Sequence, residues 1–150
     1  MRFKRWLSLV RLSAFAALVL FPFSILAAQE SAVILSVTGV KPGGGTVYAA
    51  IFDSAEGYRK NQPFRSLTLP PSGLTVEAAL NLPPGEYVFS LYQDLNSNGK
   101  LDTNFIGIPR EPVGISNYDG KGPPGGFDKQ KVRVSAGDFR VEIHLISINP

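Results

Sequence analysis

The chain has 150 residues, with twelve acidic and fifteen basic side chains, one histidine and no cysteine. That length fits one domain, and the missing cysteine excludes disulfides, thiolate nucleophiles, zinc-thiolate sites and a lipid-bearing cysteine. Four basic residues, Arg2, Lys4, Arg5 and Arg11, fall within the first 28, leaving eleven basic against twelve acidic residues, a net charge of about −1; neither a basic stripe nor interleaved aromatics point to nucleic acid.

Those four residues precede an apolar run over 12–28 that ends in Ala27 and Ala28. Positive, then apolar, then small is the order of a secretory signal peptide. Residues 1–28 are therefore read as a signal peptide and 29–150 as an exported domain, periplasmic or extracellular. An uncleaved membrane anchor is the alternative, although the run is short for a spanning helix and Pro22 interrupts it. Contact with a membrane is expected only through this segment.

From residue 33 the sequence alternates. Val33, Leu35 and Val37 share one face of a first strand. Lys41-Pro42-Gly43-Gly44-Gly45 then turns the chain into a second strand over 46–52, with Val47, Ala49 and Ile51 inward, and the two read as a hairpin. Residues 53–62 read as a polar loop ended by Pro63, with Phe64 tucked under the sheet edge. Strands over 66–69 and 74–80 flank Pro70-Pro71-Ser72-Gly73 and read as a second hairpin, with Leu74, Val76, Ala78 and Leu80 inward. Leu82-Pro83-Pro84-Gly85 turns the chain into 86–93, which is apolar on both faces as a central strand is.

That strand runs directly into Asp94-Leu95-Asn96-Ser97-Asn98-Gly99-Lys100-Leu101-Asp102, the most informative stretch of the chain. An oxygen-bearing side chain recurs every second residue and a glycine turns the backbone. Calcium loops of twelve residues draw oxygens from positions 1, 3, 5, 7 and 9, with Gly at 6 and a bidentate Glu at 12. Here Asp94, Asn96 and Asn98 fill positions 1, 3 and 5, Gly99 fills 6, Lys100 offers its carbonyl at 7, and Asp102 fills 9. Position 12 is Phe105, so the closing oxygens must come from carbonyls, water, Asn104 or a returning carboxylate, of which Glu111 is the nearest. The plainer alternative is a polar turn, since Asn, Asp, Ser and Gly also build tight connections without metal.

Half of the twenty residues from 107 to 126 are Gly or Pro, and a connection this long is either a binding loop or disordered. Phe105, Ile106, Ile108, Val113 and Ile115 argue for order in its first half, with Phe105 and Ile106 packed against the sheet. The second half, 119–126, is read as mobile. Strands over 131–135 and 139–148 close the domain, the last alternating Phe139, Val141, Ile143 and Leu145 inward with Arg140, Glu142 and His144 outward. The expected fold is all-β, a single antiparallel β-sandwich of about seven strands, immunoglobulin- or prealbumin-like, without a convincing helix.

Catalytic groups are sparse. His144 lies on a polar strand face without a partner, and the glycines of 43–45 join strands rather than opening a helix onto phosphate. Tyr58, Tyr92 and Tyr118 are candidate surface aromatics for a sugar or peptide. The sequence therefore reads as an exported, non-enzymatic binding or structural module with a calcium loop. Its partner, an unidentified protein or carbohydrate, would meet the surface over 104–118. The alternative is an exported carboxylate-dependent hydrolase of sugar or cell-wall material, which needs Asp53 or Glu56 beside Glu111.

Three runs carry a family resemblance: Phe52-Asp53-Ser54-Ala55-Glu56-Gly57-Tyr58, Leu82-Pro83-Pro84-Gly85-Glu86-Tyr87, and the stretch from Tyr92 through Pro109 that contains the loop. The chain from about 33 to 145 resembles the exported bacterial family known as domain of unknown function 2141. The resemblance implies export and a β-sandwich, and brings no established activity. The loop is also similar to those of calcium-binding sandwich repeats in bacterial surface adhesins, which implies metal on Asp94, Asn96, Asn98 and Asp102. One departure is Gln93, where the resemblance leads us to expect His.

Overall fold

The computed structural model describes residues 30–148; the signal peptide expected over 1–28 lies outside them. The chain forms β1 (Ser31–Thr38), β2 (Val47–Phe52), α1 (Ala55–Lys60), β3 (Arg65–Leu69), β4 (Thr75–Leu82), β5 (Gly85–Gln93), β6 (Val113–Ile115), α2 (Phe127–Gln130), β7 (Val132–Val134) and β8 (Phe139–His144). One sheet has the order β4-β1-β8. The other has the order β3-β2-β5-β6, with β7 also pairing β5.

Alternation places the expected faces inward. Val33, Leu35 and Val37 of β1, Val141 and Ile143 of β8, and Val47, Ala49 and Ile51 of β2 join Phe89 and Leu91 of β5 in one cluster between the sheets. The all-β sandwich expected from the sequence is therefore the fold, and β5 is the central strand it was read to be, flanked by β2 and β6.

Both expected hairpins are corrected. β1 pairs with β4 and β8, whereas β2 pairs with β3 and β5, so the connection over 39–46 crosses from one sheet to the other. It carries the buried Val40 with it, whose N–H donates to the Leu74 carbonyl at 3.2 Å. The Pro70-Pro71-Ser72-Gly73 connection likewise crosses between β3 and β4. A period of two tells which face of a strand is buried but carries no information about its neighbour. The eighth strand adds a further difference, because β1 and β8 run parallel.

Other departures are local. Residues 53–62 contain α1, capped by Ser54, whose hydroxyl accepts from Gly57 N at 3.2 Å, and ended by Asn61 in left-handed conformation, φ 53°. Leu74 lies outside β4 and is 68% exposed; Phe64 is 46% exposed, with its ring beside Tyr87. Among the described residues, the two helices lie at one end of the outer face of the larger sheet. There Phe52, Val88 and Phe127 form a second cluster with Tyr58 against it, so α1 and α2 cap that end. The other end of the same face carries the loop that begins at Asp94.

Candidate functional site

The loop hangs from two strand ends. Val47 of β2 stands opposite Gln93 of β5, and just beyond, Asp94 N donates to the Thr46 carbonyl at 2.9 Å. Gly45 makes this approach possible: a Cβ there would lie 1.8 Å from the Asp94 carbonyl oxygen. Gln93, fully buried, accepts from Lys41 N at 2.8 Å and donates to the carbonyls of Lys41 at 2.9 Å and Gly45 at 3.2 Å. A neutral histidine has one ring donor and one acceptor, so it could not make all three bonds. Gln93 is thus a side chain fully engaged in bracing the glycine connection.

Asp94 is 1% exposed and holds the turn from within. Its Oδ1 accepts from Asn98 N at 3.1 Å and its Oδ2 from Gly99 N at 2.7 Å. Asn96 Oδ1 accepts from Asn98 N at 3.1 Å, and Asn98 Oδ1 from Lys100 N at 2.8 Å, so each asparagine caps the residue two further on. Ser97 and Gly99 take positive φ, 59° and 77°, where the chain reverses. Both asparagine amide nitrogens donate to Asp102 Oδ2, at 2.7 and 2.9 Å. Four of the five residues expected to supply oxygens, Asp94, Asn96, Asn98 and Asp102, are therefore gathered by side-chain bonds, and Lys100, exposed, takes part through its main chain.

Glu111 returns to this loop, as a closing carboxylate would. It is buried, and its Oε1 accepts from Leu95 N at 2.9 Å while Oε2 accepts from Asp102 N at 3.1 Å, so one side chain ties both ends of the loop together. Asn104 does not join. Its Oδ1 accepts from Ile106 N and Ile108 N, pinning a separate turn whose ends meet at Thr103 and Pro109. Phe105 and Ile106 ride on that turn 97% and 62% exposed, which corrects their expected packing against the sandwich. Tyr92 stacks on Tyr48 at 5.3 Å and donates to the Gly99 carbonyl at 3.4 Å. Burial first, and then the nearby charge of Asp94, holds its phenol above the ordinary value, so it remains a donor.

The donor set is all oxygen, which suits a hard cation such as calcium. Each oxygen now accepting an N–H keeps a second lone pair. Binding would require the two asparagine amides to turn their nitrogens away from Asp102. Among the described residues no three His, Cys, Asp or Glu side chains gather as a metal shell on their own, so amide and main-chain oxygens would have to complete it.

The carboxylates needed for hydrolysis are not brought together. Asp53 follows the far end of β2 from Thr46, and at about 3.3 Å per residue the six-residue strand separates the two ends by roughly 17 Å. His144 is exposed, its Nδ1 3.0 Å from the Thr38 hydroxyl.

A family model described as an uncharacterized protein conserved in bacteria, DUF2141, matches residues 35–142. No curated protein matches the chain. Among solved structures, a leucine-rich repeat protein from Bacteroides thetaiotaomicron is similar at 16% identity and a TM-score of 0.38 over 79% of this chain; the chain spans 12% of that protein, and a likeness this weak carries no argument.

Proposed function

The chain belongs to the uncharacterized bacterial family DUF2141, and on that premise we propose that it is an exported, non-enzymatic binding or structural module whose loop over 94–102 takes calcium. The observation that carries this reading is the oxygen-rich loop itself, in which Asp94 and Glu111 hold the backbone N–H groups and Asp102 gathers the amides of Asn96 and Asn98. Two of these carboxylates are buried, and among the described residues no basic side chain forms an ion pair with any of the three. Backbone N–H groups already satisfy the buried carboxylate oxygens; a divalent cation held by Asp94, Asn96, Asn98, the Lys100 carbonyl and Asp102 would add the opposite charge that buried anions favour.

The ion would brace the surface over 104–118, where a partner docks. The exposed Phe105 and Ile106 favour an apolar partner surface over a polyhydroxylated one. A module outside the cytoplasm needs only weak affinity, with a Kd on the order of 0.1–1 mM. At about 10 mM calcium such a site stabilises the fold by about 1.4–2.7 kcal/mol. Calcium should therefore raise the melting temperature, and Asp94→Ala or Asp102→Asn should abolish or reduce the rise. A flat calorimetric titration with unchanged melting at that concentration overturns the reading.

A further inference from the structure

Between the helices and the Asp94 loop, the outward residues of the larger sheet stand in two cross-strand rows. Thr68, Tyr48 and Tyr92 form one row across β3, β2 and β5, and Ser66, Ala50 and Ser90 form the next. Tyr92 stacks on one face of the Tyr48 ring at 5.3 Å, which fixes that ring and leaves its other face towards Thr68. Ala50 has the smallest side chain of the six and sits between two hydroxyls beside the rings. The result is a hollow of about 400 Å³, also lined by Asn61 and Pro63 just past the end of α1, and within the roughly 300–1,000 Å³ of small-molecule sites.

No charged side chain lines this hollow. The Tyr92 hydroxyl is engaged by the Gly99 carbonyl at 3.4 Å, but among the described residues the hydroxyls of Tyr48, Ser66, Thr68 and Ser90 have no partner within the protein. An alkyl chain laid here would strip water from those hydroxyls without replacing its hydrogen bonds, and an ion would find no opposite charge; both are unfavourable. A ring that is apolar on its faces and hydroxylated at its edge meets neither penalty. Its C–H face lies on the electron-rich face of an aromatic ring, and its hydroxyls exchange bonds to water for bonds to the protein. Because β3 is the edge of the sheet, the hollow is open on that side to a chain longer than a single ring.

We propose that this hollow binds a hexopyranose unit of an uncharged polysaccharide, stacked on Tyr48 and hydrogen-bonded by Ser66, Thr68 and Ser90. The site contains no residue of the surface over 104–118 and needs no oxygen of the Asp94 loop. Sugar binding is therefore independent of the calcium reading and is measured in EDTA.

The experiment is affinity electrophoresis of the purified chain through native gels containing soluble neutral polysaccharides (hydroxyethyl cellulose, xyloglucan, galactomannan, starch and dextran), with alginate and polygalacturonate as acidic controls. Retardation by at least one neutral polysaccharide is expected, and calorimetry with an oligosaccharide of that polymer should show saturable one-to-one binding. Tyr48→Ala removes the stacking face and should weaken binding about tenfold. Ser66→Ala combined with Ser90→Ala removes two hydrogen bonds and should also weaken it about tenfold. All three side chains point away from the core between the sheets; should Tyr48→Ala lose the fold, the paired serine variant carries the test. Unchanged affinity in folded variants overturns the proposal, as does retardation by none of the neutral polysaccharides or by the acidic ones alone. It is equally overturned if an extended peptide pairs with β3 while no sugar binds.

Discussion

Replacing Glu111 with glutamine tests the bond network that closes the loop. In the wild-type chain the two carboxylate oxygens accept from Leu95 N and Asp102 N in a buried setting. Glutamine keeps one acceptor but places an NH2 against the other backbone N–H, so one charge-assisted bond is lost and the survivor is weakened. Hydrogen bonds to charged groups contribute about 1.5–3 kcal/mol each, and an opposed donor adds a desolvation cost. Glu111→Gln should therefore destabilise by about 2–3 kcal/mol, a large fraction of a total that is about 5–15 kcal/mol for an ordinary domain. For a domain of this size the melting temperature should fall by roughly 8–15 °C. Urea unfolding in EDTA gives the free energy without any ion. Amide exchange then localises the effect: the N–H groups of Leu95 and Asp102 should lose protection while those of β1 do not. A loss below about 0.5 kcal/mol, the scatter of surface substitutions, or unchanged exchange at Leu95 and Asp102, would refute the assignment of Glu111 as the tie between the loop ends.

Two further outcomes follow from local geometry. Gly45→Ala forces a Cβ to 1.8 Å from the Asp94 carbonyl oxygen, so β2 and the loop base must part and the Asp94 N to Thr46 bond must break, at a cost of about 2–3 kcal/mol in urea unfolding. Gly43→Ala meets nothing within 4 Å and should cost only about 1–2 kcal/mol for its positive φ; equal losses in the two variants would count against the close approach at Gly45. In the smaller sheet, Arg140 donates to Glu77 at 2.6 Å, and that bond, followed by one with Ser36, holds the Glu77 carboxyl below its ordinary value. A lowered folded value means the pair's contribution is complete above the unfolded value near ~4.3 and fades as pH falls through the lowered one. Arg140→Gln should therefore move the Glu77 titration upward by NMR and flatten the loss of stability below about pH 4; an unchanged Glu77 titration would remove the pair from the acid limb.

The all-β class and the inward faces of most strands could be read from the sequence because both rest on a local repeat of two residues. The turn at Asp94 was equally legible, since its oxygens recur in phase within nine residues and the side-chain bonds of Asp94, Asn96, Asn98 and Asp102 are made to neighbours two to six positions away. Helix α1 had a local signal too, in Ser54 at its start, Glu56 in its first turn, Arg59 and Lys60 in its last, and Asn61 after it; a polar composition hid it.

What the sequence could not decide is which strand lies beside which. Two short glycine- and proline-rich connections that read as hairpins instead cross between the sheets, because a strand with one buried face gains as much apolar burial beside a distant partner as beside its neighbour in sequence. The roles of Gln93 and Gly45 depend on that crossing, which brings 39–46 against the base of the loop. The exposure of Phe105 and Ile106 likewise follows from tertiary geometry. Their apolar character argues for burial, but the Asn104 bonds and the return of Glu111 set the path of the backbone and turn both side chains outward into solvent.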